Sequence, residues 1–330
     1  MLEACKIICK SRVDVFQPGL LFRVWLHGFF LLVMLLLSFN LHCIYTLRHK
    51  TNNLAIYSEA AVSGNLKNGL EGLDPRIDAL QMSLGIYIDK PASIYLVKDH
   101  ESYQRLSLGK AKIVEFSDAF YSGNEGRIYI RPVEEIKESF TNTLLHEYIH
   151  WYLENIFAHT PLWFHEGMAV QYSGQMGFER YVYFLQQSFF GRSSDLFRMS
   201  YSYPKKQEDW QIFYLSSSMA VRFMRENKDN EWAFFWELVS RQQKAGKKAV
   251  FSEGFSQAYR TNLYDFHLLF AAYVKRLRFQ YLFWGINSLL AIFLPLVLIL
   301  AHHQKRKRMA LLPDLPEPVD ETEDTEETEV

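Results

Sequence analysis

Cysteine is scarce in this chain and confined to its beginning. The three cysteines among 330 residues are Cys5, Cys9 and Cys43, so residues 44–330 contain none. That region can form neither a disulfide framework nor a zinc site built from thiolates.

A large excess of positive charge is also missing. The formal net charge is −1, from 36 cations and 37 acids. Residues 305–330 hold four of the cations and nine of the acids, which leaves 32 cations and 28 acids in residues 1–304. Surfaces that bind nucleic acid cluster basic residues far more strongly, so we expect no nucleic-acid partner.

Long apolar runs are few. Two stretches, residues 24–47 and 281–301, contain no Asp, Glu, Lys or Arg. Two are too few for a polytopic transporter, but each can cross a bilayer, because about 20 helical residues span ~30 Å of hydrocarbon. We therefore predict two transmembrane helices in a lipid bilayer. The alternatives are a cleaved signal peptide for the first stretch and a buried core helix for the second.

Basic residues near the two stretches predict the orientation of the chain. Four precede the first stretch and four follow the second: Lys6, Lys10, Arg12, Arg23 and Lys305–Arg308. Because such residues favour the cytoplasmic side, residues 1–23 and 302–330 are predicted to be cytoplasmic and 48–280 to form an extracytoplasmic domain. Three cations just before residue 281 oppose this orientation, but long domains are often translocated regardless of charge. We expect 302–330 to be a disordered tail, basic and then acidic.

The residues between the two stretches predict an α+β domain. Helical spacing and capping residues favour three early helices, Asn53–Leu70, Arg76–Leu84 and Asp99–Leu106. β-Prone residues and turn signals favour three short strands, Ser93–Val97, Lys112–Phe116 and Arg127–Arg131. From Leu162 onward the pattern is mostly helical, apart from a loop around residues 201–208.

A helix that begins near Phe140 carries the most informative residues. Its apolar side chains cover so much of its circumference that we expect it in the interior. Within it, residues 146–150 read His-Glu-Tyr-Ile-His. Residues four apart share one face of a helix, so His146 and His150 can reach a single cation while Glu147 projects beside it. The alternative is two incidental histidines, but unpaired imidazoles are costly inside an apolar helix.

A catalytic zinc site needs a third protein ligand and one open position. The sequence after His150 offers three candidates, His159, His165 and Glu166. The last lies in a second helical segment, and the loop between the helices allows the chain to double back. Ligands of these types favour zinc among the divalent cations.

This second segment resembles that of a known family, the peptidase-MA-like metallopeptidases of the gluzincin branch. Those enzymes follow their His-Glu-x-x-His helix with Pro-x-Trp-x-x-Glu-Gly-x-Ala. The chain matches that pattern at Pro161, Trp163, Glu166, Gly167 and Ala169. A looser likeness extends over residues 75–275. The resemblance implies a zincin-like fold, mostly helical with a small sheet.

The resemblance also implies a role for each matching residue. His146, His150 and Glu166 would bind Zn²⁺, and Glu147 would serve as general base toward water held at the metal. Tyr214, which resembles a tyrosine on a later helix of the family, would hydrogen-bond the oxyanion. The implied function is a membrane-anchored zinc endopeptidase acting on peptides or proteins. His165 stays the rival third ligand, and a packed core tyrosine is the alternative for Tyr214.

One position departs from the gluzincin pattern. Many members carry an Asp four residues after the third ligand, where it orients a zinc-bound imidazole, but this chain has Val170. Asn142 and Glu154 lie one turn before and after the histidine pair, so they are candidates for that role.

Two other functions compete with a soluble-domain peptidase. A catalytically lapsed scaffold or binding protein at the membrane is disfavoured, because all four motif residues are intact. Intramembrane proteolysis is disfavoured because the motif helix is too polar for a lipid-embedded span. The polar residues concerned are Glu138, Asn142, Glu147 and Glu154.

Overall fold

A computed structural model of the protein describes residues 45–108, 117–132, 136, 139–192 and 195–311. These residues form an α+β structure that is mostly helical, with a small mixed sheet. They belong to two compact units, the first drawn from residues 1–74 and 89–138 and the second from residues 75–88 and 139–330.

The first unit is built on a five-stranded sheet in the order β1-β2-β3-β5-β4. The strands are β1 (Thr46–Lys50), β2 (Leu54–Ser58), β3 (Ala92–Leu96), β4 (Ala119–Ser122) and β5 (Arg127–Ile130). The three inner strands run parallel, and each edge strand is antiparallel to its neighbour. Helix α1 (Gly64–Glu71) follows β2, helix α2 (Asp74–Leu84) lies mostly in the second unit, and helix α3 (His100–Ser107) follows β3.

The second unit is helical. After α2 it contains α4 (Phe140–Ile156), α5 (Leu162–Tyr172), α6 (Phe178–Phe189), α7 (Leu196–Met199), α8 (Trp210–Glu226), α9 (Asp229–Lys244), α10 (Phe251–Tyr259) and α11 (Leu263–Met309). Two short parallel strands, β6 (Phe157–His159) and β7 (Ala249–Val250), lie after α4 and before α10.

An aromatic core holds the second unit together. Phe157, Phe164, Phe235, Trp236 and Phe251 are all buried, and the centroids of the rings in contact lie 4.6 to 6.3 Å apart. Each large side chain removed from water contributes about 1.5–3 kcal/mol, so this cluster is a major source of stability. It fixes the loop between α4 and α5, and therefore the angle at which the chain doubles back.

Gly167 sets the distance between α5 and α8. A Cβ at this position would lie 2.7 Å from Val221 Cγ2 and would overlap the carbonyl oxygen of Ser217. Only glycine allows the two helices to approach this closely. Because Gly167 directly follows Glu166, the same close packing fixes that carboxylate.

Several predicted elements are confirmed. The interior helix runs over Phe140–Ile156 with ten buried residues, and α2 ends before Gly85, which has a positive φ of 68°. Asp99 caps α3 by accepting a hydrogen bond from the Ser102 amide. Strands β3 and β5 lie where strands are predicted. The predicted strand Lys112–Phe116 lies outside the described residues.

The predicted helix Asn53–Leu70 is wrong over its first half. Residues 54–58 form β2, and a helix begins only at Gly64, where Ser63 caps it. β2 lies between two other strands and is buried on both faces, so its apolar residues do not alternate. Periodicity therefore does not distinguish this strand from a helix.

The two predicted membrane spans have different outcomes. Most of residues 24–47 lies outside the described residues, but Thr46 and Leu47 belong to β1, so any span there ends earlier. Residues 281–301 are the central part of one continuous helix, α11, which extends to Met309. The basic residues 302–309 are therefore helical rather than part of a disordered tail. Cations at a helix C-terminus interact favourably with the helix dipole, which explains this extension.

Within the part of the chain that the structure describes, α11 is the one helix long and apolar enough to cross a membrane. Its first turns pack into the second unit through Phe266, Phe270, Tyr273 and Val274. None of its most apolar stretch of 18 residues is buried.

Replacing Gly167 with Ala should destabilise the protein by about 1–3 kcal/mol, because the added methyl group collides with the α8 backbone. Thermal unfolding of the metal-free chain measures this. Gly69→Ala is the matched control, since nothing lies within 4 Å of a Cβ there. Equal melting temperatures for the two variants would contradict the assigned role of Gly167.

Candidate metal centre

Helix α4 presents His146 and His150 on one face. Their ring centroids lie 4.8 Å apart and the ring planes make an angle of 79°. The side chains of both retain a little exposure, 12% and 13%, whereas the rest of the helix is largely buried. Both imidazoles therefore lie on a face of the helix that is not completely covered.

Helix α5 brings Glu166 opposite the two imidazoles. Its Oε2 atom lies 3.5 Å from His146 Nε2 and 3.5 Å from His150 Nε2. Ligand atoms about 2.0–2.1 Å from a tetrahedral zinc are about 3.4 Å from one another. Of the described residues, these three form the group that could hold a metal ion, with all ligand atoms within 4.8 Å of one another.

The Glu166 carboxylate supplies an independent test of fit. Its Oε1 atom accepts a hydrogen bond of 2.9 Å from the Tyr203 hydroxyl. Its Oε2 atom is buried and has no hydrogen-bond partner among the described residues. A buried carboxylate oxygen without a partner is costly, and a cation between Oε2 and the two Nε2 atoms would remove that cost. Two imidazoles and one carboxylate are also a ligand set that zinc prefers.

The electrostatics of the site favour positive charge at this point. Burial opposes a charge on His150, but the Glu166 carboxylate outweighs it and raises the pKa of His150 to about 9. Burial likewise opposes ionisation of Glu166, but His150 and His146 hold the pKa of that carboxyl well below its usual range. The carboxylate is thus ionised at physiological pH, as a metal ligand must be.

Glu147 and Tyr214 lie beside this group. Glu147 is buried on the motif helix, and its carboxylate is close enough to contribute to the raised pKa values of His150 and Tyr214. The Tyr214 ring centroid is 6.3 Å from that of His146. Burial, reinforced by Glu166 and Glu147, raises the pKa of Tyr214 well above its usual value, so its hydroxyl keeps its proton and can donate it to a hydrogen bond.

The two rival ligands lie outside the three-residue group. The His165 ring is stacked 5.6 Å from that of His150, and burial together with His150 lowers the pKa of His165 to about 3. His159 is exposed on β6. The structure therefore favours Glu166, the residue that the family resemblance implies.

The imidazole of His146 is oriented by a residue that the sequence did not reveal. Its Nδ1 atom is 2.8 Å from Gln175 Oε1, which leaves Nε2 for the metal. Asn142, a predicted candidate, instead accepts a hydrogen bond from Arg76. Glu154, the other candidate, contributes to the raised pKa of His150. Gln175 follows Gly174, whose φ of 80° turns the chain back, so no helical spacing links it to the histidines.

Tyr203 is the second residue that sequence reasoning missed. It lies in the loop between α7 and α8, 37 residues after the carboxylate it contacts. Its ring stacks on Trp210 with centroids 5.1 Å apart and packs against Phe213 at 5.5 Å. These contacts hold the hydroxyl on Glu166 Oε1, so the other oxygen faces the imidazoles.

Glu166→Ala should abolish zinc binding, because it removes the one oxygen ligand of the group. His165→Ala should retain it, because that ring only stacks on His150. Zinc content after equilibrium dialysis of the full chain measures both. Zinc retained in Glu166→Ala and lost in His165→Ala would make His165 the third ligand.

Tyr203→Phe should weaken zinc binding about 10–100-fold, since partners that orient a metal ligand have effects of that size. Competition with a chromophoric chelator gives the dissociation constant. Tyr201→Phe is the control, because Tyr201 is 72% exposed. An unchanged dissociation constant in Tyr203→Phe would show that the hydrogen bond does not position Glu166.

No protein-family model matches the chain, and no curated protein matches it. The candidate metal centre therefore stands on its own geometry: a buried carboxylate oxygen that lies 3.5 Å from each of two imidazole nitrogens.

Proposed function

We propose that this protein is a membrane-anchored, zinc-dependent endopeptidase of zincin-like architecture, related to the peptidase-MA-like gluzincins. One observation carries the proposal. The buried Glu166 Oε2 atom lacks a hydrogen-bond partner among the described residues and lies 3.5 Å from both Nε2 atoms of a His-Glu-x-x-His helix. That arrangement would supply three protein ligands, and a tetrahedral zinc ion would then have a fourth position for a reactant.

Zinc held by His146, His150 and Glu166 would polarise a carbonyl group and make water more acidic. Glu147 would take a proton from the attacking water and deliver it to the leaving amine, as general acid-base catalysis of amide hydrolysis requires. Glu147 directly follows His146 on the same helix, so its carboxylate lies at the edge of the ligand group. Because Glu147 is buried, its carboxylate has little contact with bulk solvent.

Tyr214 would stabilise the negative charge that develops on the carbonyl oxygen of the scissile bond. Its hydroxyl is protonated at physiological pH, because burial raises its pKa well above the usual value. Hydrogen-bond donors fixed in a partly buried site stabilise such charge more strongly than water does. Helix α8, which carries Tyr214, is held against the ligand-bearing α5 by the close contact at Gly167.

The local structure also gives physical reasons for the residues shared with the gluzincin pattern. Trp163 and Ala169 are buried, Glu166 faces the histidines, and Gly167 permits the close packing of α5 on α8. The placement of the Glu166 carboxylate and the close packing at Gly167 support the proposed family relationship.

The membrane arrangement is part of the proposal. Residues 281–301 of α11 would cross the bilayer, as would the chain before β1, and both termini would be cytoplasmic. The exposed apolar surface of α11 and the cations Lys305–Arg308 at its C-terminal end support this. The metal ligands lie on α4 and α5, which pack inside the second unit, so catalysis would occur in the extracytoplasmic domain of residues 48–280.

Glu147→Gln should keep zinc but lower turnover about 10²–10⁴-fold, because the amide cannot accept the proton. Digestion of a diverse peptide pool by the full chain in detergent, followed by mass spectrometry, measures turnover, and metal analysis confirms the zinc. The control is Glu179→Gln, in the exposed first turn of α6. Full activity in Glu147→Gln would refute its role as base. A zinc-loaded wild-type chain that cleaves no peptide would favour the lapsed scaffold.

A further inference from the structure

Helix α11 changes character at a defined residue. Arg278 is its last charged side chain before Lys305, so residues 279–304 form a charge-free stretch of 26 residues. About 20 helical residues cross ~30 Å of hydrocarbon, which leaves about three at each end for the interfacial layers. The hydrocarbon boundary of a span centred on this stretch therefore lies near residue 282, and Tyr281 lies in the interfacial layer.

Helix α6 runs beside α11 and ends at that boundary. Tyr181 lies 5.5 Å from the Arg222 guanidinium, which also interacts electrostatically with Tyr273 of α11. Two turns further along α6, the Ser188 carbonyl oxygen accepts a hydrogen bond of 2.7 Å from Arg278. Phe189 then packs against Tyr281 with ring centroids 6.4 Å apart. Later residues of α6 contact later residues of α11, so the two helices run in the same direction. The C-terminal end of α6 therefore points toward the bilayer.

The end of α6 has the composition of a membrane interface. Phe189 is 40% exposed and Phe190 is 80% exposed. Gly191, with a φ of 75°, turns the chain, and the exposed Arg192 follows. Exposed Phe side chains next to a cation are typical of segments that lie at the boundary between lipid headgroups and acyl chains.

We propose that residues 189–192, the α6 tip, are a second membrane contact that inserts into the interfacial layer of the phospholipid bilayer beside α11. The inference rests on the proposed membrane span. Lipid is the occupant because the tip touches α11 at Tyr281, where that helix passes into the bilayer. Phe189 continues the surface that α11 presents to lipid, and Arg192 complements the phosphate groups.

This second contact would place the metal centre away from lipid. Gln175, which contacts His146, precedes the first residue of α6 by three positions. The 12 residues of α6 span about 18 Å at 1.5 Å per residue. The metal centre and the membrane contact thus lie at opposite ends of α6. Two attachments, α11 and the α6 tip, would hold the catalytic end toward the aqueous phase.

Site-directed spin labelling tests the α6 tip. In the full chain with its three cysteines replaced by Ser, a nitroxide label is placed at Phe190→Cys, Phe178→Cys or Leu290→Cys, and the protein is reconstituted into phosphatidylcholine vesicles. Collision with oxygen, which concentrates in lipid, is compared with collision with a water-soluble nickel chelate. Phe178 is the matched control because it is also 80% exposed but lies at the other end of α6.

Labels at positions 190 and 290 should collide several-fold more with oxygen than with nickel, and a label at 178 should show the opposite preference. A label at Arg192→Cys, which leaves Phe190 intact, should collide with nickel more than a label at 190 does and less than a label at 178 does, because residue 192 is placed at the phosphate groups. If the labels at 190 and 192 show the same collision preference as the label at 178, while the label at 290 is in lipid, the α6 tip does not contact the bilayer. If 290 is exposed to nickel, the membrane span itself is wrong. Label depth requires neither zinc nor turnover, so a failed peptidase assay would leave this result unaffected.

Discussion

The buried carboxylate of Glu166 is the constraint on which the candidate metal centre depends. Its charge is enclosed by protein, and its two oxygen atoms have different surroundings: one accepts a hydrogen bond from Tyr203, and the other faces two imidazole nitrogens. Burying a carboxylate oxygen is costly unless positive charge faces it, so the three side chains form a group that could hold a metal ion. Glu147 and Tyr214 border that position, which is why the proposed function gives them chemical roles.

The structure positions this carboxylate by the packing of two helices and by one tyrosine from a loop. The aromatic core around Phe164 fixes the start of α5, and Gly167 allows α5 to lie directly against α8. α8 in turn carries Tyr214, and the loop before it carries Tyr203. A site held by rigid helices can keep three ligands within a few tenths of an ångström of productive geometry.

Sequence reasoning identified the parts of this site that follow from local spacing. His146, Glu147 and His150 are separated by less than one and a half helical turns, so their proximity follows from helix geometry. Glu166 came from a resemblance to the pattern of a known family. Gln175 and Tyr203 could not be predicted, because a positive-φ glycine places one and stacking on Trp210 places the other. Strand β2 was not predicted because both of its faces are buried, so its sequence shows no alternation of apolar and polar residues. The full length of α11 was not predicted because a charged segment continues the apolar helix.

X-ray absorption at the zinc edge of the purified full chain tests the central claim most directly. The account predicts one zinc ion with nitrogen and oxygen neighbours at about 2.0–2.1 Å and the outer-shell scattering of two imidazole rings. A chain that binds no zinc, or a spectrum with sulfur neighbours at about 2.3 Å or fewer than two imidazoles, would contradict it.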